Sequence, residues 1–166
     1  MKDSDLSEHR QFRDCLGCFA TGVTVMTCRT ADGSPSGITV NSFSSVSLDP
    51  PLVLWNIAKD SRSTAAFLDA GAFVVNVLAE DQQPLSAHFA QSERPRFDQI
   101  EGLAASESAE GQPVLPDCLA YLHCRTNIVH EGGDHYILIG EVLEFELGRA
   151  RKPLLYYGGR YRSLAD

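Results

Sequence analysis

The residues from Gly37 to Pro51, GITVNSFSSVSLDPP, carry a high density of polar side chains. They comprise five hydroxyl groups and one amide ahead of a double proline. Thr39, Asn41 and Ser42 supply hydroxyl and amide groups, and the backbone adds N–H and C=O groups. Such an array suits a flat heteroaromatic ring with donors and acceptors along one edge, and Phe43 offers an apolar surface to that ring. A polar edge strand followed by a turn is an equally good interpretation.

A second polar segment runs from Asn56 to Thr64, NIAKDSRST, where we expect a helix to begin. Free backbone N–H groups and the helix dipole favour a phosphate at such a place. Lys59 or Arg62 would add positive charge. Ordinary N-capping beside a solvated charge pair is the alternative, but it explains one serine more readily than the whole cluster.

Two histidines and the C-terminal tail offer further ligand contacts. His88, in SAHFA, can donate to a phosphate or a sugar hydroxyl, or can simply lie at the surface. His135 follows a Gly-Asp turn and can face either a bound ring or solvent. The glycines of the tail, YGGRY, permit a sharp bend. Arg160 and Tyr161 can then contact a nucleotide phosphate or stack on a base, unless the terminus frays.

The sequence lacks the common motifs for hydrolysis and nucleotide binding. It contains no Gly-x-Ser-x-Gly, no His-Glu-x-x-His, no Gly-x-Gly-x-x-Gly opening a helix and no Walker loop. Ring-edge donors beside a phosphate-binding loop, without an obvious nucleophile, favour a cofactor that carries its own chemistry.

Length and charge narrow the function classes. The chain has 166 residues, which suits one domain over 1–166, and a formal net charge of −8. An acidic surface repels phosphate backbones, so we expect neither nucleic-acid nor membrane binding. The first residues, MKDSDLSEHRQF, lack the apolar region of a signal peptide, and no membrane-spanning stretch is present. We therefore expect a soluble cytoplasmic protein.

The five cysteines indicate reduced thiols, because an odd number without a signal peptide argues against a disulfide framework. Cys15-Leu-Gly-Cys18 permits a zinc half-site or a redox pair, but a structural zinc site would need a second closely spaced pair. Cys118 and Cys124 have the same parity on a predicted strand. We expect small buried residues and no metal site.

The elements that position these residues can be predicted from periodicity and turn chemistry. A first helix starts after a Ser7 cap, ends at Gly22 and has one apolar face, formed by Phe12, Cys15, Leu16 and Phe19. Asp32-Gly33 predicts a hairpin. Asp60 or Ser61 caps a second helix that ends at Gly71, and Asp81 caps a third through Phe89. Strands are predicted at 23–29, 36–41, 52–57, 72–78, 118–128 and 135–147.

Three details of the second half bear on the fold. Residues 91–116 are weakly patterned and predict a surface excursion. In the strand at 118–128, one face holds Cys118, Ala120, Leu122, Cys124 and Ile128, and the other holds Tyr121, His123 and Arg125. Gly140 indicates a bulge or bend. Recurrent hairpins and an excess of strands predict a mainly β protein with flanking helices, an antiparallel barrel.

The combination resembles the short-chain flavin reductases of two-component monooxygenases, within the flavin-reductase-like split-barrel family. The resemblance covers nearly the whole chain and depends on ordered segments: FRDCLGCFATGVTVMT, GITVNSFSSVSLDPPLVLWNIAKDSRS, FVVNVLAEDQQPLSAHFA, GDHYILIGEV and PLLYYGGRYRSL. Cys18 immediately precedes Phe-Ala-Thr-Gly-Val, and in such proteins the position of Cys18 is a packing position.

The resemblance implies a split β-barrel homodimer that binds FMN or FAD near the subunit interface. His135 would lie beside the nicotinamide of NADH or NADPH, and Arg160 and Tyr161 would help to hold that coenzyme. Ser61, Ser63 and Thr64 would lie near the flavin phosphate, with His88 and Phe89 closing that side. The ring and ribityl chain would be lined by Thr39, Val40, Asn41, Ser42, Phe43, Ser47, Asn56, Ile57, Ala58 and Lys59.

The function that this resemblance implies is hydride transfer from NAD(P)H to the flavin. The protein would fix the distance and angle between the two rings. Reduced flavin would then pass to a separate monooxygenase component. Two alternatives stay open: a flavoprotein that reduces another acceptor, such as a corrinoid or metal complex, and a non-catalytic split-barrel protein that binds flavin or heme.

Overall fold

The computed structural model describes residues 3–91, 97 and 111–165. Over these residues the chain alternates short helices with antiparallel strands. The helices are α1 (Asp3–Leu16), α2 (Thr64–Ala70) and α3 (Gln83–Phe89), and a 3₁₀ turn (Glu80–Gln82) precedes α3. The strands are β1 (Thr21–Gly22), β2 (Thr24–Arg29), β3 (Pro35–Val40), β4 (Ser44–Leu48), β5 (Pro51–Ala58), β6 (Ala72–Val77), β7 (Ala120–Gly132), β8 (His135–Leu147), β9 (Leu155–Tyr157) and β10 (Arg160–Arg162).

One large sheet organises the molecule. Its seven strands lie in the order β3-β2-β6-β7-β8-β5-β4, and a second sheet has the order β1-β9-β10. Neighbouring strands in both sheets run antiparallel. The sheet curls until β3 approaches β5, although in the described part of the chain no ladder joins these two strands. The prediction of a mainly β, antiparallel fold is confirmed.

Aromatic packing inside the curled sheet fixes the strands that form its walls. Trp55 on β5 meets Phe67 of α2 edge-on at 4.9 Å and Phe73 of β6 at 5.7 Å between ring centroids. All three rings are almost fully buried. Because such edge-to-face pairs add to the hydrophobic effect, they hold α2 against the sheet.

The hairpins predicted from turn residues are present. β2 and β3 pair around Asp32-Gly33, and Gly33 has a φ of 81°. β7 and β8 pair around Gly133-Asp134, from Gly132 opposite His135. The strand β4 was not predicted, because its serine-rich sequence, SSVSL, lacks the apolar alternation of a half-buried strand.

The three predicted caps are wrong. α1 begins at Asp3, before Ser7, and ends at Leu16, whereas Gly22 lies in β1. Ser63 is the N-cap of α2, in place of Asp60 or Ser61, and Gln82 is the N-cap of α3, in place of Asp81. Tight turns separate the polar segments from α2 and α3 and move the start of each helix along the chain. Gly71 ends α2 with a φ of 68°, as predicted.

Helix α1 buries no apolar face against the described residues of its own chain. Residues 7–16 are all exposed, including Phe12 at 65% and Leu16 at 58% of the reference area of the residue. Cys15 and Cys18 are also exposed, so the expectation that they are buried is wrong, whereas Cys28, Cys118 and Cys124 are buried. Among the described residues, no helix has the length and apolar composition needed to cross a membrane.

The predicted faces of β7 are only partly correct. Tyr121 and Cys124 are both buried because both faces of β7 meet the core: Tyr121 belongs to the core cluster of Val74, and Cys124 to that of Phe73. Ile128, predicted on the face of Cys124, is exposed. The register with β8 shifts between His123 and Cys124, where the extra residue is on β8. A second shift between Thr126 and Ile128 places the bulge on β7, opposite Gly140. Gly140 itself is required by close packing, since a Cβ there would lie 2.5 Å from Phe73 Cζ.

Most of the predicted surface excursion, 91–116, lies outside the described residues. Its described end is not on the surface: Val114 and Leu115 are buried. The Leu115 N–H donates to Asn76 Oδ1 at 2.9 Å, and the Arg29 N–H donates to Gln112 Oε1 at 2.7 Å. These bonds bring a segment without periodicity into the core, which explains why its sequence pattern was misleading.

Candidate functional site

A cleft of about 470 Å³ lies where β3, β5 and the start of β8 come together. Its wall combines aliphatic and polar residues: Ile38, Thr39, Val40, Asn41, Ser42, Asn56, Ile57, Ala58, Gly132, His135 and Ile137. The volume falls within the usual range for small-molecule sites, about 300–1,000 Å³. The two polar segments singled out in the sequence therefore form one site, although they are separated by β4 and the double proline.

Eight predicted site residues lie in this wall: Thr39, Val40, Asn41, Ser42, Asn56, Ile57, Ala58 and His135. Sequence reasoning missed Ile38, Gly132 and Ile137. Ile38 and Ile137 look like ordinary strand residues, and only the pairing of β8 with β5 brings Ile137 opposite Asn56. The sequence predicted that Gly132 lies in the turn before His135. That turn was the one signal that could have placed Gly132 in the cleft wall.

Ser42 and Asn56 connect the two sides of the cleft. The Ser42 hydroxyl accepts from the Asn56 N–H at 3.0 Å and lies 3.3 Å from the Asn56 carbonyl, to which it can donate. The side-chain Oδ1 of Asn56 is buried and has no hydrogen-bond partner in the described part of the structure. A buried acceptor without a donor is costly, so this atom is suited to a donor on a ligand.

His135 stands at the rim of the cleft, where β8 begins. Its Nδ1–H donates to Asp134 Oδ1 at 2.7 Å, which leaves Nε2 as the other ring nitrogen. The hydrogen bond from His135, and then the charge of its imidazolium, lower the pKa of Asp134 below its usual value. The pair is solvent-exposed, so its role is orientation of the ring more than stabilisation of the fold.

The predicted phosphate segment follows directly after β5. Lys59 forms an ion pair with Glu131 at 2.8 Å, and the hydrogen bond from Lys59 lowers the pKa of Glu131. The Thr64 hydroxyl donates to the Ala58 carbonyl at 2.6 Å, and the Ser61 hydroxyl accepts from the Ser63 N–H at 3.3 Å. These groups organise the turn into α2, and none of them lines the cleft. A phosphate contact there stays a prediction.

Tyr161 is tied to the cleft through Ser86 of α3. Ser86 is fully buried, its hydroxyl lies 2.8 Å from Tyr161 Oη, and its carbonyl accepts from Thr39 Oγ1 at 2.7 Å. Tyr161 also lines a notch of about 220 Å³ next to Asn41. Arg160 is exposed on β10.

The remaining predicted residues lie around the cleft and not in its wall. Phe43 is partly buried and packs against the core. Ser47 lies on β4 beside a register shift. Phe89 is buried against Phe97, with ring centroids 5.0 Å apart, and His88 meets Phe89 edge-on at 5.2 Å. The roles assigned to these four residues stay predictions.

Comparison with known proteins identifies the family. The model of the flavin reductase like domain matches residues 16–165. The FMN reductase (NADH) SmoA of Agrobacterium fabrum is 48% identical over 152 residues, covering 92% of this chain and 84% of that relative. An NADH-dependent FAD reductase of Streptomyces globisporus is 39% identical over 165 residues, covering 97% and 88%.

A solved structure agrees with these relatives. The nitrilotriacetate monooxygenase component B homologue of Mycobacterium thermoresistibile superposes with a TM-score of 0.88 at 39% identity, over 97% of this chain and 89% of that chain. The protein belongs to the flavin reductase family. The resemblance inferred from the ordered sequence motifs is confirmed.

Proposed function

We propose that this protein is an NADH:flavin oxidoreductase that supplies reduced flavin to a separate monooxygenase component. The single observation that carries the proposal is the cleft wall, where Asn41, Ser42 and Asn56 present polar groups beside the small residue Ala58. Relatives of the same family are named for FMN or FAD and for NADH. Both flavins are therefore proposed as acceptors, and NADPH is the weaker candidate donor.

The residues present fit a flavin. The ring carries N–H and carbonyl groups along one edge, and the buried Asn56 Oδ1 lacks a donor in the described structure. Small side chains at Ala58 and Gly132 leave room for a flat ring. Bound flavin supplies the redox chemistry, because its ring accepts a hydride from reduced nicotinamide.

The chain's own residues would bind the flavin ring and orient the nicotinamide coenzyme against it. Asn56 Oδ1 would accept a hydrogen bond from the ring edge. The hydroxyl of Ser42 keeps β5, the strand of Asn56, at a fixed distance from β3. His135, held by Asp134, would border the nicotinamide and orient it. Main-chain donors along β3 would stabilise the negative charge that the reduced ring acquires. Arg160 and Tyr161 would hold the coenzyme on the tail side.

The assay follows NADH oxidation with FMN or FAD, with oxygen excluded and then admitted, and with NADPH in parallel. We expect turnover with either flavin and a preference for NADH. A failure to oxidise either nucleotide with either flavin would reject the proposal. Turnover that appears only with a corrinoid or metal complex would transfer the assignment to another acceptor.

Asn56→Ala tests the unpaired acceptor, Asn56 Oδ1, independently of the turnover assay. Removing a buried, unpaired oxygen should leave the melting temperature unchanged or raise it, whereas flavin binding should weaken roughly tenfold or more. Asn127→Ala, on the exposed part of β7, is the matched control and should change neither quantity. Parallel losses of stability and binding in Asn56→Ala would indicate a purely structural role.

The homodimer and the split barrel are part of the proposal, with 1–166 as one domain. Exposed apolar side chains concentrate on the strands flanking β5: Leu48 is 94% exposed on β4, and Phe145 and Leu147 are 79% and 91% exposed on β8. Such surface is unusual for a monomer and typical of an interface. Phe145→Glu should shift the mass measured by light scattering from dimer to monomer, whereas Leu164→Glu, in the exposed tail, should not.

A further inference from the structure

The Cys15-Leu-Gly-Cys18 motif lies at the C-terminal end of α1, and both of its thiols are exposed. Neither cysteine lines the cleft, so the proposed hydride transfer does not use them. Over the described residues, no group of three or more His, Cys, Asp or Glu side chains is placed to hold a metal ion. Of the two chemical interpretations of this motif, the redox pair is therefore favoured over the zinc half-site.

The backbone between the two cysteines has a geometry that a disulfide can close. α1 ends at Leu16, and the Cys18 N–H donates to the Cys15 carbonyl at 3.1 Å. A bond across three residues is that of a 3₁₀ turn, in which the side chains at its two ends lie on the same side. A rise of about 1.5–2.0 Å per residue places the two Cα atoms roughly 5–6 Å apart, within the range of disulfides.

This turn is held by bonds that do not involve a disulfide. The Gly17 N–H donates to the Arg13 carbonyl at 2.8 Å, and the Gly17 carbonyl accepts from the Gly158 N–H at 2.9 Å. The Cys18 thiol donates to the Asp14 carbonyl at 3.5 Å. That carbonyl belongs to the peptide bond leading into Cys15, so the Cys18 sulfur already lies beside the backbone of Cys15.

The other three cysteines are shielded from reagents in solution. Cys28, Cys118 and Cys124 are buried. Burial raises the pKa of Cys118 and Cys124 to about 12, which keeps these thiols protonated. Because the thiolate is the form that reacts with oxidants, Cys15 and Cys18 are the two thiols that the fold offers to an oxidant.

The proposed function itself generates an oxidant. Reduced flavin that no monooxygenase takes up gives two electrons to molecular oxygen, so the flavin is oxidised and oxygen is reduced to hydrogen peroxide. Peroxide oxidises exposed thiols to sulfenic acid, which condenses with a second thiol to a disulfide. Two exposed thiols one turn apart meet this requirement.

We propose that Cys15 and Cys18 form a peroxide-responsive dithiol, which closes to a disulfide within one chain. One thiolate attacks peroxide: an S–O bond forms, the O–O bond breaks, and the departing hydroxide takes up a proton to become water. The second sulfur then attacks the sulfenic sulfur, so that the S–S bond forms, the S–O bond breaks and a second water leaves. The two thiols lose two electrons and two protons, and the peroxide is reduced to two waters.

The inference rests on the proposed function only for the source of the peroxide. An exposed disulfide is readily attacked by a thiolate, so a small dithiol reductant should restore both thiols while it is itself oxidised. The modification is therefore reversible, and it lies where the Gly17 carbonyl joins the end of α1 to the tail hairpin β9–β10.

The first test adds hydrogen peroxide to the reduced protein without NADH. Fast-reacting thiols are counted with an aromatic disulfide reagent, and the mass of the intact chain is measured. We expect two fast-reacting thiols before treatment and none afterwards, with a mass loss of about 2 Da for the two hydrogen atoms. Dithiothreitol should reverse both changes, and the chain should migrate as a monomer on a non-reducing denaturing gel.

Single variants separate a paired reaction from independent oxidation. Cys15→Ser and Cys18→Ser each keep one exposed thiol, so each should gain about 16 or 32 Da as the sulfenic or sulfinic acid. Cys124→Ala is the matched control, because it removes a buried thiol and leaves the exposed pair intact. It should lose about 2 Da more than its own reduced form, like the wild type.

The second test replaces added peroxide with NADH, flavin and oxygen. Disulfide should form during turnover, and catalase should prevent it. Failure of the proposed function gives a distinct result, because NADH would stay unoxidised while added peroxide still forms the disulfide. NADH oxidation without disulfide formation would overturn the assigned oxidant.

Three results of the first test would overturn the dithiol itself. The wild type could keep both fast-reacting thiols, it could gain oxygen on each sulfur without losing hydrogen, or its disulfides could join two chains. Any of these results would show that the turn at the end of α1 does not bring the two sulfurs together.

Discussion

The two sides of Asn41 are built in different ways. On the cleft side, β3 is fixed by buried packing and by the bonds between Ser42 and Asn56. On the other side, which faces the end of α1, that helix exposes every residue from 7 to 16. The cleft wall therefore exists in the isolated chain, whereas α1 makes few contacts with the other described residues, among them the 2.9 Å bond from the Gly158 N–H to the Gly17 carbonyl just after the helix. We infer that α1 is displaced more easily than the cleft wall.

The largest effect on the cleft wall is expected from Gly37→Ala. An added Cβ would lie 2.6 Å from Phe89 Cε1 and 3.1 Å from Phe97 Cζ, so the aromatic rings behind β3 must move. Such overpacking should lower the free energy of unfolding by about 1–3 kcal/mol, measured by urea denaturation. Gly22→Ala is the control, because nothing lies within 4 Å of its added Cβ. Equal stability of the two variants would show that the wall is not rigid.

Ser42→Ala removes the hydroxyl that joins the two sides of the cleft. The Asn56 N–H loses its acceptor at 3.0 Å, and we expect a loss of about 1 kcal/mol in stability together with weaker flavin binding. Ser44→Ala is the comparison, since its exposed hydroxyl bonds only the neighbouring carbonyl of Ser45. A Ser42→Ala variant with unchanged flavin affinity would contradict the role assigned to this link.

The tail is coupled to the cleft through one hydroxyl pair. A double-mutant cycle with Ser86→Ala and Tyr161→Phe should give a coupling of about 0.5–1.5 kcal/mol, because their oxygens lie 2.8 Å apart. If Tyr161 also holds the coenzyme, both single variants should raise KM for NADH while kcat stays the same. Additive effects on stability would mean that the tail is independent of α3.

The last effect expected is a loss of stability that is confined to alkaline pH. Burial raises the pKa of Cys124 from 9.0 to about 12, and that of Cys118 to about 12 as well. Above pH 9.0 the unfolded thiols lose protons that the folded thiols retain, so stability should fall as pH rises from 9.0 towards about 12. Melting curves across that range should show a smaller fall for Cys124→Ala than for the exposed control Cys18→Ala.

Local sequence signals predicted the hairpins and the end of α2 correctly. Asp32-Gly33 and Gly133-Asp134 form tight turns because glycine accepts a positive φ at both places. The polar stretch after Gly37 was correctly associated with the segment after Asn56, since the two meet in one cleft. These predictions succeeded because the interactions involved are short in sequence or repeat along a strand.

Other predictions failed where a contact between distant segments decided the outcome. The faces of β7 were only partly predicted because the tertiary structure buries both of them, Tyr121 in one core cluster and Cys124 in another. Nothing in a single strand's alternation reveals this, or the extra residue between Thr126 and Ile128. Leu115 was assigned to the surface, but Asn76 supplies an acceptor that holds its backbone in the core. Cys15 and Cys18 were expected to be buried, yet both are exposed, because the apolar positions of α1 pack against no surface in the part of the chain that the structure describes.

The sequence by itself determined the class of fold, the two polar segments of the cleft and the family, because side-chain pattern and ordered motifs are properties of the chain. The tertiary structure decided which polar groups remain available for a ligand. Thr39 and Thr64 carry hydroxyl groups of the same kind as Ser42, but their bonds to Ser86 and Ala58 occupy them in the fold. Only the curl of the sheet, set by packing around Trp55, brings Asn56 to the wall opposite β3 and leaves its Oδ1 without a donor among the described residues.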